Sequence, residues 1–143
     1  MKSRYLFRAK RMDNGEWVEG FYFCMTHPDG RHTHHFIIPL GTDLSLGTPI
    51  EKIQVEVDSS TICQCTGLED KNGKLIWEND ICDRKEEYPE IVKYNEGDWT
   101  LDYSYSKDKE SGYCYCNLGF YVLERKHVEV IGNVFDNPEL LEV

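Results

Sequence analysis

Four of the five histidines in this 143-residue chain fall within nine residues: His27, His32, His34 and His35. On an extended chain alternate side chains share a face, so His32 and His34 stand together, and His27 can approach across the intervening turn. Three imidazoles bind zinc or nickel when their ring nitrogens lie about 2.0–2.1 Å from the ion. No carboxylate or cysteine completes an obvious motif around them, and a His-rich strand end is commonly just exposed. No metal and no cofactor is therefore assigned; His27, His32 and His34 are the residues that would hold an ion.

The cysteines form two Cys-x-Cys pairs, Cys63/Cys65 and Cys114/Cys116. Each pair places both thiols on one strand face, whereas structural zinc usually takes Cys-x2-4-Cys on a turn. Small buried thiols are the plainer reading. Asp70, Glu78, Asp80 and Asp83 cluster in one stretch. Two facing carboxylates do acid–base work when their environments split their pKa values. Here Asp70 falls in a turn and Asp80 can bond its own local backbone, so capping roles are favoured. The chain has no glycine-rich phosphate loop, no nucleophile elbow and no His-Glu zinc motif. No catalytic residue is assigned. Tyr105, Tyr113 and Tyr115 are the binding candidates, as an aromatic platform that stacks nucleobases or anchors a protein. Trp99, Leu101 and Tyr103 are expected in the core.

Composition narrows the classes. The net charge is −10, from 26 acids and 16 bases, which on average repels a phosphate backbone and disfavours nucleic acid. The only basic cluster is Lys2-Ser3-Arg4, Arg8 and Lys10-Arg11, which reads as a solvated strand face. No run approaches the roughly 20 apolar residues of a membrane span, and none resembles a signal peptide. No membrane contact and a cytoplasmic location in a bacterial host cell are expected, with the thiols mostly reduced. A hydrophobic fraction of 40% and an aromatic fraction of 13% indicate a folded chain rich in strands.

The elements that would carry these residues are short. Arg4 to Lys10 and Glu16 to Met25 read as a hairpin about Asp13-Asn14-Gly15, with Gly20 marking a bulge or a close backbone approach. His27 to Gly30 turns the chain into a strand over Arg31 to Ile38. Pro39 to Pro49 is a loop, and Ile50 to Val57 alternates as a half-buried strand. Asn72-Gly73 predicts a type I′ hairpin turn feeding Leu75-Ile76-Trp77. Glu78-Asn79-Asp80 bends the chain before Ile81-Cys82. Further strands are expected over Glu90 to Tyr94, Trp99 to Tyr105, Tyr113 to Tyr121 and Glu124 to Val134, with Gly119 as a bulge. Pro138 opens a final helical turn with Asn137 as its cap. No stretch of a dozen residues keeps a helical period. The fold class is mainly β: an N-terminal hairpin plus a small, partly open β-barrel, SH3-like in size, with little helix. It forms a single domain over 1–143, divisible into an N-terminal lobe 1–58 and a barrel part 61–141.

Three segments together resemble the YopX family, small proteins carried largely by bacteriophages, prophages and other mobile elements of bacteria. The first is Leu6-Phe7-Arg8 with Asn14-Gly15-Glu16-Trp17. The second runs from Gln64 through Thr66-Gly67-Leu68 and Asp70-Lys71-Asn72-Gly73 to Ile76, Glu78, Asp80 and Ile81. The third is Ile131-Gly132-Asn133 followed by Asn137-Pro138-Glu139-Leu140-Leu141. Cys65 stands where the family carries an aromatic, and Asn79 where it carries glycine; Asn also tolerates positive φ, so the bend survives. The resemblance implies a mostly β fold and a mobile-element origin, and no reaction. Asn72, Gly73, Trp77, Asp80, Gly132, Asn133 and Pro138 are read as structural motif residues. The expected function is a non-catalytic accessory role through a protein partner or a homo-oligomer. The alternatives are a nucleic-acid-associated barrel module and a metal-dependent enzyme using the His27 to His35 cluster.

Overall fold

The computed structural model describes residues 2–43, 45, 47–105 and 116–142. The chain divides into two compact units, Met1–Gln64 and Cys65–Val143. The mainly-β expectation holds: both units are built on antiparallel strands, and among the described residues neither closes into a barrel. None of the described helices is long and apolar enough to cross a membrane.

In the first unit, β1 (Phe7–Lys10), β2 (Trp17–Thr26), β3 (Thr33–Pro39) and β4 (Val55–Glu56) pair in the order β4-β3-β2-β1. The start of β5 (Cys63–Glu69) pairs with β1 at Cys63 and Gln64. Gly15 makes the β1–β2 turn at φ +74°. Gly20 marks a close approach: a Cβ there would lie 2.0 Å from the Ile38 carbonyl oxygen. The inner face carries Phe7, Ala9, Val18, Tyr22, Ile37 and Val55, which pack with Val57 and Ile62. Two expected strands are shorter. Residues 3–5 form a 3-10 turn, with the Leu6 N–H donating to the Ser3 carbonyl at 2.9 Å. Of the strand expected over 50–57, Val55–Glu56 is a strand and Val57 is bridged to Arg11; Ile50–Lys52 is a 3-10 turn in which the Ile53 and Gln54 N–H groups both donate to the Ile50 carbonyl. Those local bonds satisfy the backbone without a partner strand.

In the second unit, the rest of β5 pairs with β6 (Leu75–Trp77). A five-stranded sheet follows in the order β10-β9-β8-β7-β11: β7 (Asp80–Asp83), β8 (Glu90–Asn95), β9 (Asp98–Asp102), β10 (Cys116–Asn117) and β11 (Glu129–Asn133). Its core is Ile76, Cys82, Val92, Leu101, Leu118 and Val128, with Trp99 packed against it. Among the expected strands, residues 118–125 are helical instead, with a π-helical segment over Phe120–Arg125. Tyr121 and Val122 of that segment pack on the core, and Lys126 ends it at φ +54°. Gly119 is accordingly helical (φ −58°) and makes no bulge.

The type I′ turn lies elsewhere than expected. Glu96 and Gly97 both have positive φ (49° and 89°) between the paired residues Asn95 and Asp98. At Asn72-Gly73 only the glycine does (φ +80°). There the Gly73 N–H donates to the Asp70 carbonyl (3.0 Å) and the Asp70 N–H to the Lys74 carbonyl (2.8 Å), a three-residue hairpin loop ending in a left-handed glycine. Asn79 does take positive φ, 67°, as its bend requires.

Candidate functional site

Residues directly opposite in an antiparallel pair point to the same side. With Tyr22, opposite Ile37, on the core side, the pairs Phe21–Ile38, Phe23–Phe36 and Met25–His34 face outward. Glu56 lies opposite Phe36 and joins them. Toward β1 the same face continues with Trp17, over which Arg8 and Lys10 lie at 4.7 and 5.4 Å from the ring centre. Phe23 and Phe36 stack at 5.2 Å. Phe36 is buried, but Phe21 keeps 41% and Met25 52% of its surface in water. An apolar row on the far side of a sheet whose other side already forms the core is unusual for an isolated chain.

The histidine cluster caps the outer end of this face. His27 follows β2, and its N–H donates to the His32 carbonyl at 2.8 Å across the turn. His34 Nε2 and His27 Nε2 are 3.1 Å apart. His34 Nδ1 bonds Glu56 Oε1 at 2.8 Å, and His32 Nδ1 bonds Asp29 Oδ2 at 3.0 Å. Carboxylates thus do attend these imidazoles. Glu56 escapes a reading of the sequence because it is 22 residues from His34 and arrives through β4 pairing. His35 points the other way, its Nδ1 2.6 Å from the Tyr22 hydroxyl.

In the second unit two of the clustered acids, Asp70 and Asp80, hold backbone donors. Asp70 is buried and accepts from three backbone N–H groups: Asn72 and Lys74 on Oδ1 and Val130 on Oδ2, each at 2.9 Å. Burial by itself raises this carboxyl, but the three donors outweigh it and hold its pKa below the ordinary value. Asp80, also buried, accepts from the Trp77 N–H at 2.8 Å. Asn72 also donates from its side chain to Glu129 at 3.3 Å. Gly132 is fixed by close approach, since a Cβ there would lie 2.5 Å from Asn137 Oδ1. That oxygen accepts from the Asn133 N–H at 3.1 Å instead of capping the final turn. Asn133 Oδ1 in turn accepts from the Phe135 and Asp136 N–H groups, and Pro138 opens the 3-10 turn Pro138–Leu141.

Arg84 and Glu90 form a buried ion pair through Arg84 Nε. Burial raises the Glu90 carboxyl and Arg84 pulls it back only in part; Glu90 Oε2 finds no hydrogen-bond partner among the described residues. Arg84 also lies 4.3 Å from the Tyr121 ring centre and bonds Glu86 at 3.0 Å. A cavity of about 320 Å³ opens there, lined in part by Tyr88, Tyr103 and Tyr121. Tyr105 is half-buried, and its hydroxyl donates to the Pro89 carbonyl at 2.5 Å. Burial pushes its pKa up to about 12, with Glu90 and Tyr88 adding to the effect. Tyr113 and Tyr115 lie outside the described residues. Cys24, Cys63, Cys65 and Cys82 form no disulfide; all but Cys24 are buried.

The two-unit, two-sheet architecture and its turn motifs define a class that the comparisons make specific. The chain belongs to the YopX family: the family model, described as YopX protein, matches residues 6–142. It is similar over 95% of its length to a solved structure, protein EF1440 from Enterococcus faecalis, of which 96% is covered, at 28% identity and a TM-score of 0.55. No curated protein matches.

Proposed function

We propose that this protein is a non-catalytic accessory protein of a bacterial mobile element that works by protein–protein contact, with a second copy of itself as the first occupant. The contact surface is the outward face of β2 and β3. The observation that carries the reading is the exposure of Phe21 and Met25 beside the Phe23–Phe36 stack, opposite the face that forms the core. At net charge −10, two copies repel at long range, so a self-pairing surface has to be poor in acids and rich in apolar area. On this face the paired positions are mostly aromatic or aliphatic, with Glu19 and Glu56 the acids at its margins. The pairs Phe21–Ile38 and Phe23–Phe36 supply the aromatic anchors on which interface energy concentrates.

Light scattering across a concentration series tests this. The expected result is a mass that rises to that of a dimer, and a monomer throughout for Phe21→Glu. A wild-type protein that stays monomeric at every concentration rejects self-pairing and turns the same face toward a host protein.

A further inference from the structure

We propose that the turn end of the β2–β3 hairpin is a binding site for a divalent transition metal, built on His27 and His34 and completed by His32. The hairpin brings these residues together from both sides of one turn, which the backbone bonds His27 N–H to His32 carbonyl (2.8 Å) and Gly30 N–H to His27 carbonyl (2.9 Å) hold closed. The two Nε2 atoms of His27 and His34 are 3.1 Å apart. Two nitrogens each about 2.0–2.1 Å from a tetrahedral zinc are separated by roughly 3.3 Å, so this pair already sits near ligand spacing.

The tautomers of His34 and His32 suit the role, while His27, whose Nε2–H donates to His34 Nε2 before an ion arrives, shifts that proton to Nδ1 as the ion binds. Glu56 on His34 Nδ1 (2.8 Å) places the ring proton in that bond and leaves the Nε2 lone pair facing His27. Asp29 does the same for His32 at 3.0 Å. A carboxylate behind a histidine, orienting the ring and raising its basicity, is the arrangement that supports metal-binding imidazoles. His32 stands just outside the pair, its ring centre 6.0 Å from that of His27. Among the described residues no three such groups already converge on one point. The His32 side chain is 70% exposed, so turning its Nε2 inward displaces only water. Imidazole nitrogens favour zinc, nickel and copper over calcium or magnesium. The two carboxylates also offset the charge of a dication. The inference is independent of self-pairing, since a monomer presents all five residues.

The test is calorimetric titration of the tag-free full chain with zinc chloride, and separately with nickel chloride. One equivalent is expected to bind. The double variant His27→Ala/His34→Ala loses the saturable site. Glu56→Gln, which keeps the ligands, weakens binding by about 10- to 100-fold. His127→Ala and Cys24→Ser leave it unchanged. Ring ¹⁵N spectra then show the metal on Nε2 of His27 and His34, a signature that a merely structural role does not produce. Absence of saturable binding, or binding that survives in the double variant or disappears in Cys24→Ser, overturns the proposal.

Discussion

Replacing Asp70 by Asn tests how the second unit is tied together. The carboxylate accepts three backbone N–H bonds, two from its own hairpin loop and one from Val130. A hydrogen bond to a charged group is worth about 1.5–3 kcal/mol and a neutral one about 1 kcal/mol. The Asn carbonyl keeps the Asn72 and Lys74 donors at reduced strength, a loss of about 1 kcal/mol. Its amide nitrogen then faces the Val130 N–H, donor against donor. That removes a bond and strands a donor in a buried setting, at about 2 kcal/mol more. The total is about 3 kcal/mol, which a urea slope of about 2 kcal/mol/M turns into a midpoint lowered by about 1.5 M. Urea unfolding followed by tryptophan fluorescence at neutral pH reads it. The pH dependence follows from the same bonds. Because the folded carboxyl is held below its ordinary value, its stabilisation is present above the unfolded pKa and is lost as pH falls through the folded one. The gap between wild type and variant should therefore narrow in acid. A gap below about 0.5 kcal/mol at neutral pH, within the range of an ordinary surface substitution, would refute the reasoning. So would a gap that stays constant into strong acid.

Gly20→Ala should destabilise the first unit by about 3 kcal/mol, because the new methyl meets the Ile38 backbone and not a flexible side chain; thermal melts with unchanged midpoints would show that β2 and β3 do not approach as described. Tyr105→Phe should cost about 1 kcal/mol through the lost bond to Pro89. In the wild type one phenol should titrate only near pH 12, and that transition should be missing in the variant when ring carbons are followed by NMR. Phe21→Glu should abolish self-association at a stability cost of about 1 kcal/mol or less, since 41% of the residue is already in water; a variant that still dimerises moves the interface elsewhere.

The turns were the legible part of the fold. Gly15 and Asn79 carry their conformation in their residue type, because few side chains accept positive φ; the β1–β2 pair about Gly15 is present, and so are the strands β6 and β7 on either side of Asn79. Gly20 read as a bulge or a close approach, and it is the close approach, where a residue without Cβ has nothing to collide, that the fold contains. The residues 118–125 did not read as helix. Their three core residues, Leu118, Tyr121 and Val122, do stand at i, i+3 and i+4, but the segment ends within two turns and is too short to sustain a helical period. The Ile50–Lys52 turn failed to show because alternation of Ile53, Val55 and Val57 continues past the point where local backbone bonds take over. At the candidate site, the aromatic row was visible only as a strand pattern. Which of its faces the core occupies depends on β1 and β5 pairing, a long-range fact. The same holds for Glu56 beside His34, whose partnership is set by strand register across the intervening chain.

The bonds from Asp70 and Lys71 to β11 have a consequence for the order in which the protein is made. The Val130 N–H reaches Asp70 across 60 residues, and the Lys71 N–H donates to the Val128 carbonyl at 2.9 Å. During synthesis the 70–74 loop therefore leaves the ribosome well before the strand that completes it. Until Val128 to Asn133 emerge, β7 lacks one neighbour and the Asp70 carboxylate lacks a donor, so that side of the sheet waits as an unpaired edge. In the first unit, by contrast, every strand-paired residue among the described ones lies within the first 64. That unit can finish while the second unit is still being translated, which makes the nascent second unit the stage at which a chaperone or an early partner would be needed.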